Sequence, residues 1–268
     1  MIAANHKEIQ IVELLLSMDV IAALAAVAFV AGFVDAIAGG GGLLTIPALL
    51  TAGLPPHLAL GTNKLAASFG SATAGWTFYR KQLFNPHFWK RSVAATAIGA
   101  VIGTLVVDLI SVSWLDKILP LLIIGIAIYS LCNRSPKTDN DHLPERTAQL
   151  YRRQWGQGLT IGFYDGFAGP GTGAFWTASN MGLYKMNILL SSGLARCMNF
   201  VSNACSLGFF IALGHVNFGI GIIMGVSIMV GAFLGANSAI RFGSKFIRPV
   251  FITMVMIIAA KLAYEAWL

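Results

Sequence analysis

Charge is what this chain has least of. Of 268 residues, 18 are Lys or Arg and 11 are Asp or Glu, so charged residues make up 11%, against roughly 25% in soluble globular proteins. A water-exposed surface cannot be covered with so few charges, which excludes a soluble domain, an extended disordered chain and a nucleic-acid-binding module. Cysteine is equally scarce. Cys132, Cys197 and Cys205 show no CxxC spacing and sit in apolar contexts, so a disulfide-stapled secreted fold is excluded and plain packing is the expectation. Phosphate-loop (GxxxxGK followed by Ser or Thr), GxSxG and HExxH patterns are all missing. ATP is therefore not expected as a direct energy source, nor is a hydrolase or a zinc protease. No metal and no cofactor are expected. The N-terminus places Glu8, Glu13 and Asp19 before the first apolar run, where a signal peptide would carry positive charge.

What is abundant is apolar surface and glycine. Hydrophobic residues make up 56%, Gly contributes 29 residues, and mean hydropathy is +0.73. That composition predicts an all-α polytopic membrane protein. A spanning helix takes about 20 mostly apolar residues, and the gaps between charges predict segments at 19–35, 42–62, 64–80, 92–110 and 116–133. A second set falls at 154–168, 171–184, 193–213, 217–240 and 246–264. Segments 42–62 and 171–184 are interrupted by Gly, Pro and small polar residues. They read as broken or re-entrant helices, which membrane depth tolerates only inside protein or beside a water-filled cavity.

The two sets repeat one another. Gly32-Phe33-Val34-Asp35-Ala36-Ile37-Ala38-Gly39 returns as Gly162-Phe163-Tyr164-Asp165-Gly166-Phe167-Ala168-Gly169. Gly99-Ala100-x-x-Gly103 returns as Gly231-Ala232-x-x-Gly235, and Pro120 returns as Pro249. Residues 1–133 and 154–268 are thus expected to be two repeats joined by a flexible cytoplasmic linker at 134–153. With five crossings in each, the halves are inverted and both termini lie outside. Thirteen cations then fall inside (Arg80, Lys81, Lys90, Arg91, Arg134, Lys137, Arg146, Arg152, Arg153, Lys185, Arg241, Lys245 and Arg248) against Lys7, Lys64, Lys117 and Lys261 outside. That follows the positive-inside rule better than four crossings per half. Trp76, Trp89, Trp114, Trp155 and Trp267 fall near segment ends, as an aromatic belt would place them.

Inverted repeats place a transporter's site near the midplane, where broken helices meet. Gly39, Gly40, Gly41 and Gly42, and Gly169, Gly171 and Gly173 with Thr172, are candidate breaks whose backbone N–H groups could approach an anion at a helix start. Gly99/Gly103 and Gly231/Gly235 read as helix packing. Asp35 and Asp165 are costly in a membrane. They either cap the glycine turns or take up protons. Thr62, Asn63 and Lys64 in one half, and Arg196, Asn199 and Asn203 in the other, form polar clusters at the head of a helix. The two cations would attract an anion, pair with the aspartates, or snorkel to the interface. Asn199, Ser202 and Asn203 share a helical face, as ligand groups or as interhelical glue. His57 and His87 read as interfacial, and His215 as a weaker proton-relay candidate.

The stretches GFVDAIAGGGGLLTIPALL, LALGTNKLAASFGS and GFYDGFAGPGTG, with the Arg196 helix carrying Asn199 and Asn203, resemble the sulfite exporter TauE/SafE family over nearly the whole chain. The resemblance implies a permease of the inner membrane moving small anions such as sulfite and organosulfonates. The second half departs from the glycine run at Pro170 and Thr172. The expected function is secondary transport of a small sulfur-containing or carboxylate anion by alternating access. An anion channel and, less well supported, a membrane-embedded enzyme are the alternatives. The expected partners are a small anion, the lipid bilayer and, if the aspartates titrate, protons. A homo-oligomer is left open.

Overall fold

Four helix starts in this chain are set by capping residues or proline rather than by hydropathy. The computed structural model describes residues 18–115, 117–119, 121, 140–243 and 249. Eight long or medium helices lie within them: α1 (Met18–Ala38), α2 (Gly42–Thr51), α3 (Pro56–Arg80), α4 (Lys90–Asp108), α5 (Ala148–Phe167), α6 (Thr172–Tyr184), α7 (Ile188–Ala212) and α8 (Phe218–Phe242). The described residues contain no strand. Thr147, Asn187 and Asn217 each accept the N–H three residues on, at 3.1, 2.9 and 3.0 Å, which satisfies a donor that a helix start otherwise orphans. Pro56 opens α3, where a missing N–H costs nothing.

These starts correct three expected boundaries. Segments 42–62 and 64–80 divide at Pro55-Pro56 instead of at Gly61–Lys64, giving a short α2 and a 25-residue α3. Lys64 is consequently buried in the third turn of α3, neither at its head nor in an outside loop. Residues 148–153, expected in the linker, are the first turns of α5. The segments 116–133 and 246–264, the position of Pro120, Cys132 and Trp267, and both chain ends lie wholly or mostly outside the described residues.

Four helices, α1, α4, α7 and α8, are long and apolar enough to cross a membrane. Phe29, Val30, Ile102, Ile222 and Phe233 point outward, as a lipid-facing surface requires. Glycine lets the backbones touch. A Cβ on Gly99 or Gly103 would collide with the carbonyls of Leu159 and Phe163, and one on Gly231 or Gly235 with those of Phe29 and Phe33. The same pairings set direction. α4 runs parallel to α5, and α1 parallel to α8. Leu65 meets Gly221 and Phe69 meets Gly225, so α3 also runs with α8. In contrast, Gly61 meets Phe210 and Gly75 meets Cys197, so α3 and α7 are antiparallel.

The bundle has two chemically distinct ends. At one, Arg91 stacks on Tyr151 and Arg146 faces Phe88, Arg153 donates to Leu183, and the ends of α3 and α8 pack together near Leu83 and Ile240. Arg80, Lys81, Lys90, Arg152, Lys185 and Arg241 lie on the same elements. The other end gathers His57, Asp108 and His215, with Lys117 beside Trp114. Trp76, Trp114 and Trp155 are exposed, whereas Trp89 is buried against Tyr184 instead of facing lipid. His57 is buried in the first turn of α3, where its ring meets the Val107 carbonyl, rather than in an interfacial loop.

Candidate functional site

Two chain breaks meet at the centre of this bundle. Each follows an aspartate-bearing helix and precedes a short helix. Gly39 (φ 85°) and Gly169 (φ 90°) take the left-handed backbone that lets the chain leave α1 and α5 abruptly. The breaks touch: Ala174 N–H donates to the Gly39 carbonyl at 3.0 Å, and a side chain on Gly39 would strike the backbone of Gly173. Tyr164 Oη holds the second turn through the Pro170 carbonyl, 2.6 Å away, and Thr172 Oγ1 holds it through Gly169. The N-termini of α2 and α6 therefore start beside one another, and their positive dipole ends add.

A cavity of about 40 Å³ lies between them, large enough for a few waters or one compact ion. Gly41, Gly42, Gly169, Gly171, Thr172 and Gly173 supply its backbone-rich wall, with Asn63, Asn199 and Asn203 opposite. Asp35 and Asp165 border it as well. Thr45 lines the cavity and was not singled out from sequence. Its hydroxyl donates to Asn63 Oδ1 at 2.5 Å, and its position one turn after Gly41 was the available signal. Ala31, Gly32, Ala67 and Ile228 complete an apolar side. Gly39 and Gly40 shape the turn without lining the cavity. Thr62 is not part of it: its hydroxyl accepts the Asn217 N–H at 2.9 Å, tying α3 to the start of α8.

The two cations stand behind this wall and pair across the halves. Lys64 Nζ contacts the Asp165 carbonyl, Asp165 Oδ1 at 2.7 Å and Asn203 Oδ1 at 3.2 Å, which uses all three ammonium donors. Asp165 Oδ2 accepts from Ser202. Arg196 Nη1 donates to the Asp35 carbonyl and stands 3.6 Å from Asp35 Oδ2. Asp35 Oδ1 in turn accepts the Gly41 N–H at 3.0 Å. Both cations are fully enclosed, at 1% and 0% side-chain exposure, but the carboxylates differ: Asp165 is 4% exposed and Asp35 is 24%. Arg196 also keeps Nε and Nη2 without a hydrogen-bond partner, and Asn199 Oδ1 likewise. One ion pair is closed and saturated. The other is open.

Asp35 Oδ1 reaches the first glycine turn by accepting the Gly41 N–H. Asp165 is held by Lys64 and Ser202 instead. His215 Nε2 pairs with Asp108 at 3.0 Å and stacks on His57 at 5.1 Å, at the end of the bundle opposite the arginine-rich one.

Comparison with known proteins places the chain in a family. The sulfite exporter TauE/SafE family matches residues 24–262. A probable membrane transporter protein of Haemophilus influenzae is 38% identical over 254 residues, covering 93% of this chain and 97% of its own. The probable membrane transporter protein YfcA of Escherichia coli K12 is 38% identical over 242 residues, covering 90% and 88%. The probable membrane transporter protein ORF9 of a Sinorhizobium species is 36% identical over 251 residues, covering 92% and 94%. No solved structure matches the chain. A match over nearly the full length, on a multi-pass helical bundle, makes this chain a member of the sulfite exporter TauE/SafE family of membrane transporters.

Proposed function

We propose that the protein moves a small anion, sulfur-containing or carboxylate, across the cytoplasmic membrane by alternating access. The observation that carries this reading is the convergence of two helix N-termini on one cavity beside two buried cations. Helix starts and spare guanidinium donors attract negative charge, and the small volume favours a compact ion. Thr45, Asn63, Asn199 and Asn203 would form the polar wall that orients it, with the glycine turns as backbone donors. Lys64 and Arg196 would supply attraction from behind.

Alternating access is supported by the arrangement of the helices. We read the chain as two inverted repeats: α3 and α7 occupy corresponding places and run antiparallel, while α1 packs on α8 as α5 packs on α4. Residue 108 stands at the end with His57 and His215, and residue 147 at the arginine-rich end. Nine described cations lie at the arginine-rich end and Lys117 at the other, so the former is read as cytoplasmic. In such transporters one repeat rocks against the other around a fixed midplane site. The family's sulfite-exporter description supports a sulfur oxyanion, and the relatives' names support transport without naming a substrate.

The test is flux into proteoliposomes, with thermal shift in detergent, against sulfite, sulfate, thiosulfate, methanesulfonate and acetate. Saturable, gradient-driven flux of at least one anion is expected. Folded protein that neither binds nor moves any of them refutes the reading, and non-saturable flux would favour a channel.

A further inference from the structure

The charges around the cavity cancel, and that cancellation constrains what can enter. Lys64 and Arg196 are each enclosed, and each faces one aspartate. A monoanion entering this ring leaves one uncompensated negative charge in a low-dielectric interior, which is costly. Asp35 makes the conflict acute, because its carboxylate borders the cavity that the anion would occupy. We propose that each anion is accompanied by one proton, carried on the Asp35 carboxylate, so that the protein works as an electroneutral proton–anion symporter. This rests on the anion-transport reading above.

The two aspartates are not equivalent, and the difference selects Asp35. Asp165 is closed off: Lys64 and Ser202 engage both its oxygens, and Lys64 has no donor to spare. The Asp35 carboxylate is the more exposed of the two: its contact with the Arg196 guanidinium is the long 3.6 Å one, and its other oxygen accepts the Gly41 N–H at 3.0 Å. Arg196 meanwhile holds two buried N–H sites that no protein group accepts. It is anchored by the Asp35 backbone carbonyl, so it stays in place when the carboxylate is neutralised. A proton added to Asp35 then removes the guanidinium's counter-charge, and the anion replaces it. The remaining facing groups are fixed: Asp165 from α5 is paired, Lys64 from α3 is saturated, and Tyr164 donates to the Pro170 carbonyl. Among the described residues lining the cavity, α2, α6, α7 and α8 contribute no titratable group.

The experiment uses proteoliposomes of the full chain with methanesulfonate, which stays a monoanion and carries no proton of its own, and an internal pH dye. One proton per anion is expected. Accumulation should rise about tenfold for each unit of imposed pH difference, independent of a clamped membrane potential. Anion flux without proton flux, or flux driven by potential alone, overturns the symport and leaves the anion reading intact. Absence of flux for methanesulfonate and for every other anion of the panel above overturns both. Asp35→Asn is expected to abolish proton movement and flatten the pH dependence of the remaining flux. Proton movement that survives in Asp35→Asn but is lost in Asp165→Asn moves the proton to Asp165 and refutes the assignment. Should the variants not fold, infrared difference spectra of the wild type and of Asp35→Glu decide. A protonated-carboxyl band that appears on methanesulfonate binding and shifts in the glutamate variant is expected, and its absence refutes the proposal.

Discussion

Removing Lys64 while leaving Asp165 in place should be among the most damaging single changes in the bundle. The ammonium and carboxylate stand 2.7 Å apart at 1% and 4% exposure. At an effective dielectric near 20 their attraction is about 6 kcal/mol, offset by several kcal/mol of desolvation for each ion. The pair's net contribution is therefore modest, but losing one partner is different. Lys64→Met would leave the Asp165 carboxylate buried with Ser202 as its remaining side-chain donor, at a cost of about 3–5 kcal/mol. Asp165→Asn should cost a similar amount. The double variant Lys64→Met/Asp165→Asn, with no buried charge left unpaired, should recover at least about 2 kcal/mol relative to the sum of the singles. Equilibrium unfolding in mixed micelles, followed by tryptophan fluorescence, measures all four corners of the cycle. A single-variant cost within about 0.5 kcal/mol of zero, or additivity within the same margin, would refute a buried, mutually dependent pair.

Other expectations follow from the same geometry. Gly103→Val and Gly231→Val should prevent assembly of α4 on α5 and of α8 on α1, whereas Gly208→Ala, which faces open space in α7, should be neutral or stabilising by up to about 1 kcal/mol; size-exclusion profiles and thermal midpoints in detergent separate these outcomes. Asn199→Ala and Thr45→Val should each weaken binding of the transported anion by roughly tenfold to a hundredfold if their groups bond it, read as a shift in half-saturation of flux. Cysteines introduced at His87 and His142 should react with an impermeant maleimide only from the cytoplasmic side, and one at Ser113 only from the outside. The reverse pattern would invert the orientation.

Hydropathy alone located the apolar runs but misplaced their joints, and the reason is physical. Gly61, Thr62, Asn63 and Lys64 look like a break because they are polar and small. Inside the bundle Asn63 and Lys64 are satisfied by Thr45 and Asp165, and Thr62 by Asn217, so α3 runs straight through them. Partners so distant in sequence leave no local trace. Thr147, Asn187 and Asn217, by contrast, mark helix starts through contacts within three residues, and Pro56 through its missing N–H. The glycine turns were legible because two copies of one motif flanked an aspartate. Which cation met which aspartate was not legible, since the pairs cross from one half to the other. Nor did the sequence separate a half-buried Asp35 from an enclosed Asp165, because that difference is made by Ser202, Asn203 and the close approach of Gly169 to Lys64.

The parallel seams between α1 and α8 and between α5 and α4 also have a consequence for biogenesis. Phe29 and Phe33 dock on Gly231 and Gly235, about two hundred residues later in synthesis. At ordinary elongation rates of about 5–20 residues per second, α1 would wait on the order of 10–40 seconds in the bilayer before its partner is made. During that interval lipid or insertion machinery must cover the seam. An isolated first half would lack that partner, so severed halves are expected to regain a functional fold only when both are made together.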